Sequence, residues 1–268
     1  MPPLIYGTAW KKEQTKELVI QAVKAGFKGI DTACQPKHYY EPGVGEALVF
    51  LAQEGIKREE LFLQTKFTPL PGQDPLNIPY DKTADLSTQV VQSFEVSKTN
   101  LQTNYVDSLV LHSPLEVFND LQTVWKAMEK IAHSGEAKQL GISNIYDLET
   151  LKALYEVAEI KPSVVQNRFY EESGYDKEIR SFCKSHGIIY QSFWTLTANP
   201  HILKSDELVA LSKKYNKNVV QLLFAYLHEI GITPLTGTTD IEHMKSDLES
   251  FDIVLEDSDI ATLDLLFW

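Results

Sequence analysis

The feature that most constrains this chain is a rhythm. Short runs of β-branched and aliphatic residues alternate with amphipathic helical stretches along nearly its whole length. The stretch 13–26 carries Leu18, Val19, Ala22 and Val23 at helical spacing and stops at Gly26. A strand follows at 27–32, a helix at 43–54 and a strand at 61–66. The alternation continues with a helix at 85–102, a strand at 106–112, a helix at 119–134 and a strand at 138–143. After these come a helix at 146–157, a strand at 163–166, a helix at 175–186 and a strand at 187–192. Helices at 205–215 and 218–229 precede a last strand at 231–235. Strands separated by helices need parallel crossovers. An unbroken series of such units fits a (β/α)8 TIM barrel, here one domain over residues 1–268. Residues 1–10 either cap the bottom of the barrel or contribute the missing strand. The competing architecture, a doubly wound sheet, would carry G-x-G-x-x-G after a strand, and none is present.

Composition narrows the function. A net charge of −12 repels phosphate backbones, so nucleic acid and anionic membranes are poor partners. No run of about 18 apolar residues exists to span a bilayer. The N-terminus lacks the basic-then-apolar order of a secretory signal, which points to a cytoplasmic protein. Cys34 and Cys183 form no CxxC pair, and the histidines show no metal-ligand spacing, so neither a disulfide framework nor a metal is expected. The expected partner is a small molecule, bound by a monomer.

In a βα barrel, chemistry collects where strands end. Those ends carry Asp31, Lys66, His112, Ser143, Asn144, Gln166 and Ser192. One such residue is more often a satisfied structural group; an acid, a lysine and a histidine on successive strands are harder to dismiss. The proline-rich loop 67–83 follows a strand, so it lies on the same face as a candidate lid or specificity loop.

At this point the sequence resembles a known family. Gly7-Thr8-Ala9-Trp10, Gly29-Ile30-Asp31-Thr32-Ala33, Val44-Gly45-Glu46-Ala47-Leu48, Gln64-Thr65-Lys66, Leu111-His112-Ser113-Pro114 and Leu140-Gly141-Ile142-Ser143-Asn144 resemble, in order, the aldo-keto reductase superfamily. The resemblance implies a barrel enzyme that reduces a carbonyl with bound NADPH through an Asp, Tyr, Lys, His tetrad. The Asp, Lys and His map onto Asp31, Lys66 and His112. The usual tyrosine position holds Pro36, and a loop about two residues longer brings His38, Tyr39 and Tyr40 into place. Tyr39 is the expected proton donor, with Tyr40 as the alternative. A nearby ammonium favours a phenolate. At about 4 Å and an effective dielectric near 20, that attraction is roughly 4 kcal/mol, or about three pKa units. Lys66 is therefore expected to lower the Tyr39 pKa, Asp31 to keep Lys66 charged, and His112 to direct the carbonyl oxygen.

The resemblance also implies cofactor residues. Ser143, Asn144 and Gln166 match the positions that bind the nicotinamide carboxamide, and Thr8 and Asp31 lie beside them. The aromatic ring expected under the nicotinamide is replaced by Gln191, within Tyr190-Gln191-Ser192-Phe193-Trp194, so either Gln191 lies flat or Phe193 or Trp194 takes over. Around the cofactor phosphates, Leu235 stands where NADPH-preferring members carry lysine and His243 where they carry arginine. Thr236, Gly237, Thr238, Thr239 and a following helix N-terminus suit phosphate, with Lys245 and Asp247 further along. The missing cations make NADH possible as well as NADPH. The chain stops at Trp268, without the longer C-terminal loop of many members. The pocket is then expected to be more open, shaped by Trp10, Tyr40, the 67–83 loop, Trp194 and Trp268. The alternative from another class is a nucleotide-binding regulatory subunit with the same fold and weak catalysis.

Overall fold

A computed structural model describes residues 1–267; Trp268 lies outside the described residues. Eight parallel strands form a closed barrel in sequence order. They are β1 (Ile5–Gly7), β2 (Gly29–Asp31), β3 (Phe62–Phe67), β4 (Ser108–Leu111), β5 (Leu140–Ser143), β6 (Val164–Arg168), β7 (Ile189–Phe193) and β8 (Ile232–Thr236). The N-terminal segment is thus the first strand, not a cap. It pairs with both neighbours, Ile5 opposite Gly29 on β2 and Leu235 on β8, which closes the barrel.

Helices wrap the strands: α1 (Thr15–Ala25), α2 (Glu41–Gln53), α3 (Leu86–Leu101), α4 (Phe118–His133), α5 (Leu148–Val157), α6 (Lys177–His186), α7 (Pro200–Leu203), α8 (Asp206–Tyr215), α9 (Val219–Glu229), α10 (Ile241–Leu248) and α11 (Asp257–Asp264). Local chemistry sets many boundaries. Asp85, Asp147 and Ser205 accept from backbone N–H groups at the starts of α3, α5 and α8, and Asn218 forms a capping box with Gln221 on α9. Gly26 and Gly187, both at positive φ, end α1 and α6.

The period of two along each strand sorts the interior. Ile30, Leu63, Val165 and Tyr190 join the buried core beneath the helices. Their neighbours Asp31, Gln64, Gln166 and Gln191 bond to one another across the barrel, so they point inward. Burying these polar groups is tolerable because they satisfy one another. Close approach fixes two glycines: a Cβ on Gly45 of α2 would lie 2.1 Å from the Asn100 carbonyl oxygen of α3, and one on Gly141 would lie 2.9 Å from Cβ of Val164.

The 67–83 loop is strapped down at several points. The Gln35 amide donates to the Gly72 carbonyl, the Gln73 amide to the Cys34 and Thr68 carbonyls, and the Tyr80 hydroxyl to the Thr68 carbonyl. Tyr80 packs its ring on Phe67. These bonds join the loop to the segment after β2, and both lie on the face where the strands end. Among the described residues no helix is long and apolar enough to cross a membrane.

Candidate active site

β2 and β3 lie side by side with Asp31 opposite Gln64, so Lys66, two residues on, reaches back to the acid. The Lys66 ammonium donates to Asp31 Oδ2 at 2.6 Å and to the Thr32 carbonyl at 2.9 Å. Lys66 is 1% exposed and Asp31 2%. Isolated, either charge would be costly there; paired and further hydrogen-bonded, both are held. The other carboxylate oxygen of Asp31 accepts from the amides of Gln64 at 2.8 Å and Gln166 at 3.0 Å. Both amides also donate to Gln191 Oε1. Burial pulls the Lys66 pKa down, while the Asp31 carboxylate opposes that shift.

Tyr39 lies over this pair. The Lys66 nitrogen is 5.0 Å from the centre of its ring, and its ring stands edge-on to His112 at 5.9 Å. Tyr40 caps α2 and is exposed. The geometry therefore brings Tyr39, not Tyr40, to Asp31, Lys66 and His112. The expected fall in the Tyr39 pKa is not found. Burial, reinforced by the Asp31 charge, raises it. The Lys66 charge is already neutralised by Asp31, so desolvation of the phenolate dominates. His112 is half-buried, and desolvation of its ring, followed by the Lys66 and His38 charges, holds its pKa well below the ordinary histidine range. It is a neutral imidazole, and its Nδ1 lies 2.7 Å from the Thr68 hydroxyl.

Sequence reasoning overlooked Glu41 and Lys11. Glu41, the first residue of α2, is a buried carboxylate accepting from Thr65, Ser97 and Asn100. It pins the segment carrying Tyr39 to β3 and α3, and burial raises its pKa. A lone Glu before a proline gives no local signal of that role. Lys11 follows Trp10, and its ammonium donates to the Gly237 carbonyl after β8. It stands beside the proposed phosphate turn, where sequence reasoning found no fixed cation. Burial lowers its pKa.

The expected cofactor residues divide. Ser143 donates to the Gln166 carbonyl, and the Asn144 amide donates to the His112 carbonyl. Asn144 adopts positive φ, which presents its side chain at the end of β5. Gln166 sits one layer lower with its amide committed to Asp31 and Gln191. Gln191 does not lie at the strand end. It is fully buried, and β7 runs on two residues to Phe193, the inward-facing aromatic at the mouth. Ser192 alternates outward and accepts from the Thr195 hydroxyl, away from the mouth. The Thr8 hydroxyl donates to the Asp31 carbonyl, so it anchors the strand end.

At the phosphate segment, Thr236 donates to Asp247, both are buried, and burial raises the Asp247 pKa to about 6. Neither is placed to hold a ligand. The N-terminus of α10 is already capped: Asp240 accepts from the Glu242 and His243 N–H groups, so those donors are not open to phosphate. Lys245 is paired with Glu242 at 2.8 Å. Gly237, Thr238, Thr239 and His243 remain on the surface of this segment, with Lys11 beside Gly237. A Cβ on Gly237 would lie 3.3 Å from the Gly7 carbonyl oxygen and 3.5 Å from the Lys11 nitrogen.

Of the residues expected to shape the pocket, Trp10, Trp194 and Tyr40 all keep exposed surface. Trp10 is exposed and packs its ring, tilted by 38°, against His38 with ring centres 4.0 Å apart. Trp194 is half exposed, at positive φ, with the Arg168 guanidinium 4.1 Å over its ring. Tyr40 lines a concavity with Tyr39, Asn77 and Pro79. Among the described residues no group of three or more His, Cys, Asp or Glu side chains could hold a metal.

The model of the aldo/keto reductase family matches residues 3–266. A glyoxal reductase of Bacillus subtilis is 28% identical over 253 residues, covering 94% of this chain and 83% of its own. The solved structure of MGS-M4, an aldo-keto reductase from a Medee basin deep-sea metagenome library, superposes with a TM-score of 0.84 at 23% identity, covering 99% of this chain and 91% of its own. The silkworm aldo-keto reductase AKR2E5, solved with NADPH, superposes with a TM-score of 0.82 at 22% identity, covering 99% of this chain and 84% of its own.

Proposed function

The chain belongs to the aldo/keto reductase family, and on that premise we propose that it reduces an aldehyde or ketone to an alcohol with NADPH or NADH. The observation that carries this reading is the cluster in which buried Lys66, 2.6 Å from Asp31, lies under the Tyr39 ring, with His112 beside that ring.

Burial keeps the Tyr39 phenol protonated, so its proton is present when a carbonyl oxygen arrives. As that oxygen takes the proton, the phenolate left behind is stabilised by the Lys66 ammonium, and Asp31 holds that ammonium in place. His112, neutral and fixed at Nδ1, orients the carbonyl oxygen through its other ring nitrogen. A nicotinamide dinucleotide, when bound, supplies the hydride that no side chain can. The donors at the mouth suit it. Asn144 would face the carboxamide, Phe193 the ring, and Lys11 with Gly237, Thr238 and Thr239 the phosphates, while Ser143 and Gln166 hold the strand ends beneath them. Lys11 compensates in part for Leu235 and His243, and among the described residues no fixed cation marks a 2′-phosphate, so both cofactors are accepted.

We read residues 1–268 as one domain acting as a cytoplasmic monomer on a small-molecule carbonyl. The closed barrel supports the monomer, since it leaves no sheet edge to pair. The test is turnover of an aldehyde panel with NADPH and NADH side by side, for wild type and Tyr39→Phe. Oxidation of the cofactor that is abolished in Tyr39→Phe supports the proposal. Tight cofactor binding with no oxidation overturns it and favours a regulatory nucleotide-binding subunit.

A further inference from the structure

Thr68 is the first residue after β3, two positions beyond Lys66, so the strand's alternation carries both side chains to the same side. It is 2% exposed. Its hydroxyl lies 2.7 Å from Nδ1 of His112, and among the described residues that is its one hydrogen-bond partner. A buried hydroxyl that accepted from an Nδ1–H group here would leave its own O–H without an acceptor, at a cost of about 1–3 kcal/mol. Donating to Nδ1 removes that cost and leaves the ring proton on Nε2.

We propose that Thr68 is a positioning residue that holds neutral His112 in the tautomer carrying its proton on Nε2. This rests on the reading of His112 as the group that orients the carbonyl oxygen. With the proton on Nε2, that nitrogen donates to the oxygen as charge develops on it; with the proton on Nδ1, it would be an acceptor and repel the same oxygen. The loop after β3 supplies the rigidity. The Thr68 carbonyl accepts from Tyr80 at 2.8 Å and Gln73 at 3.1 Å, and the Gln73 amide also reaches the Cys34 carbonyl at 3.0 Å. The segment singled out by its prolines therefore serves as a strut that fixes Thr68 against His112. A valine at 68 keeps the shape and removes the hydroxyl; a serine keeps the hydroxyl.

The test combines 15N NMR of the His112 ring with steady-state kinetics. In wild type the ring signals are expected to show a protonated Nε2 and an unprotonated, hydrogen-bonded Nδ1. Thr68→Val is expected to mix the tautomers and lower kcat by at least tenfold, below the roughly hundred- to thousandfold loss of a whole oxyanion donor. Thr68→Ser is expected to stay near the wild-type rate. On a His112→Gln background, Thr68→Val is expected to cause no further loss, because the effect acts through the imidazole. A wild-type ring protonated on Nδ1 overturns the proposal, as does an equal loss from Thr68→Val with and without His112. The NMR arm needs no turnover. A wild type that shows the expected tautomer but reduces no aldehyde overturns the proposed function while leaving the tautomer assignment intact.

Discussion

The two sides of the barrel mouth are built differently. On the β2–β4 side, Asp31 and Lys66 are buried, His112 is half-buried, all three are bonded to named partners, and Tyr39 is wedged among them. On the β7–β8 side the groups available to a ligand are exposed or sparse. Thr236 and Asp247 are spent on each other, Asp240 occupies the start of α10, and Lys245 is held by Glu242. Lys11 is the cation that the fold brings back to this side. The chemistry needs atoms held to fractions of an ångström. Binding a long, flexible dinucleotide can instead be spread over many weak contacts.

This contrast predicts large, specific losses on the first side and modest, graded ones on the second. The largest effect is expected from Tyr39→Phe, which removes the proton donor and lowers kcat by about 10²–10⁴-fold, whereas Tyr40→Phe changes it little. A reversed ranking in aldehyde-dependent cofactor oxidation would break the assignment. Next is Lys66→Met. It strands the Asp31 carboxylate in the barrel and should cost roughly 3–5 kcal/mol of unfolding free energy in urea, beyond its effect on rate.

Asp247→Asn sharpens the other side. The folded-state pKa of Asp247 is raised from 3.8 to about 6, so the folded protein binds this proton more tightly than the unfolded chain does. Below the unfolded value the group is protonated in both states and carries no penalty. As pH rises through about 6 the penalty becomes complete, so the variant should gain stability over wild type, by up to about 3 kcal/mol. The gap between the two proteins should close as pH falls towards 4. A constant gap in denaturation curves across that range would show that Asp247 is not a strained acid. The smallest effect is expected from Lys11→Ala: about tenfold weaker dinucleotide binding by fluorescence titration, consistent with one charged hydrogen bond. The kcat should be nearly unchanged, and the loss should shrink at high salt. A large drop in kcat would place Lys11 in the chemistry.

Much of this was legible before the chain was folded. The alternation of strand and helix implied the barrel, and the polar residues ending apolar runs at Asp31, Lys66 and His112 marked the site. Both are local signals, written in hydrophobic period and in the break of that period. Strand ends were less legible: β6 and β7 extend past their expected limits to Arg168 and Phe193. That places Gln191 inside the barrel and leaves Phe193, one of the alternatives the sequence offered beside Gln191, at the mouth. The polar layer of Asp31, Gln64, Gln166 and Gln191 was likewise invisible, because its members come from four strands and only closure brings them together.

By itself, then, the sequence determined the architecture, the family and the residue types proposed to carry the chemistry, since periodicity and motif are properties of neighbours along a chain. Tertiary structure decided which of those residues are free to act. It turned Thr8, Ser192, Thr236 and Asp247 into internal partners, brought Lys11 to the turn after β8 and Thr68 to His112, and raised the Tyr39 pKa that the presence of a lysine alone would lower. The physical reason is common to all of them. Hydrogen-bond partners and desolvation depend on what closure of the barrel packs against each group, and those neighbours are distant in sequence.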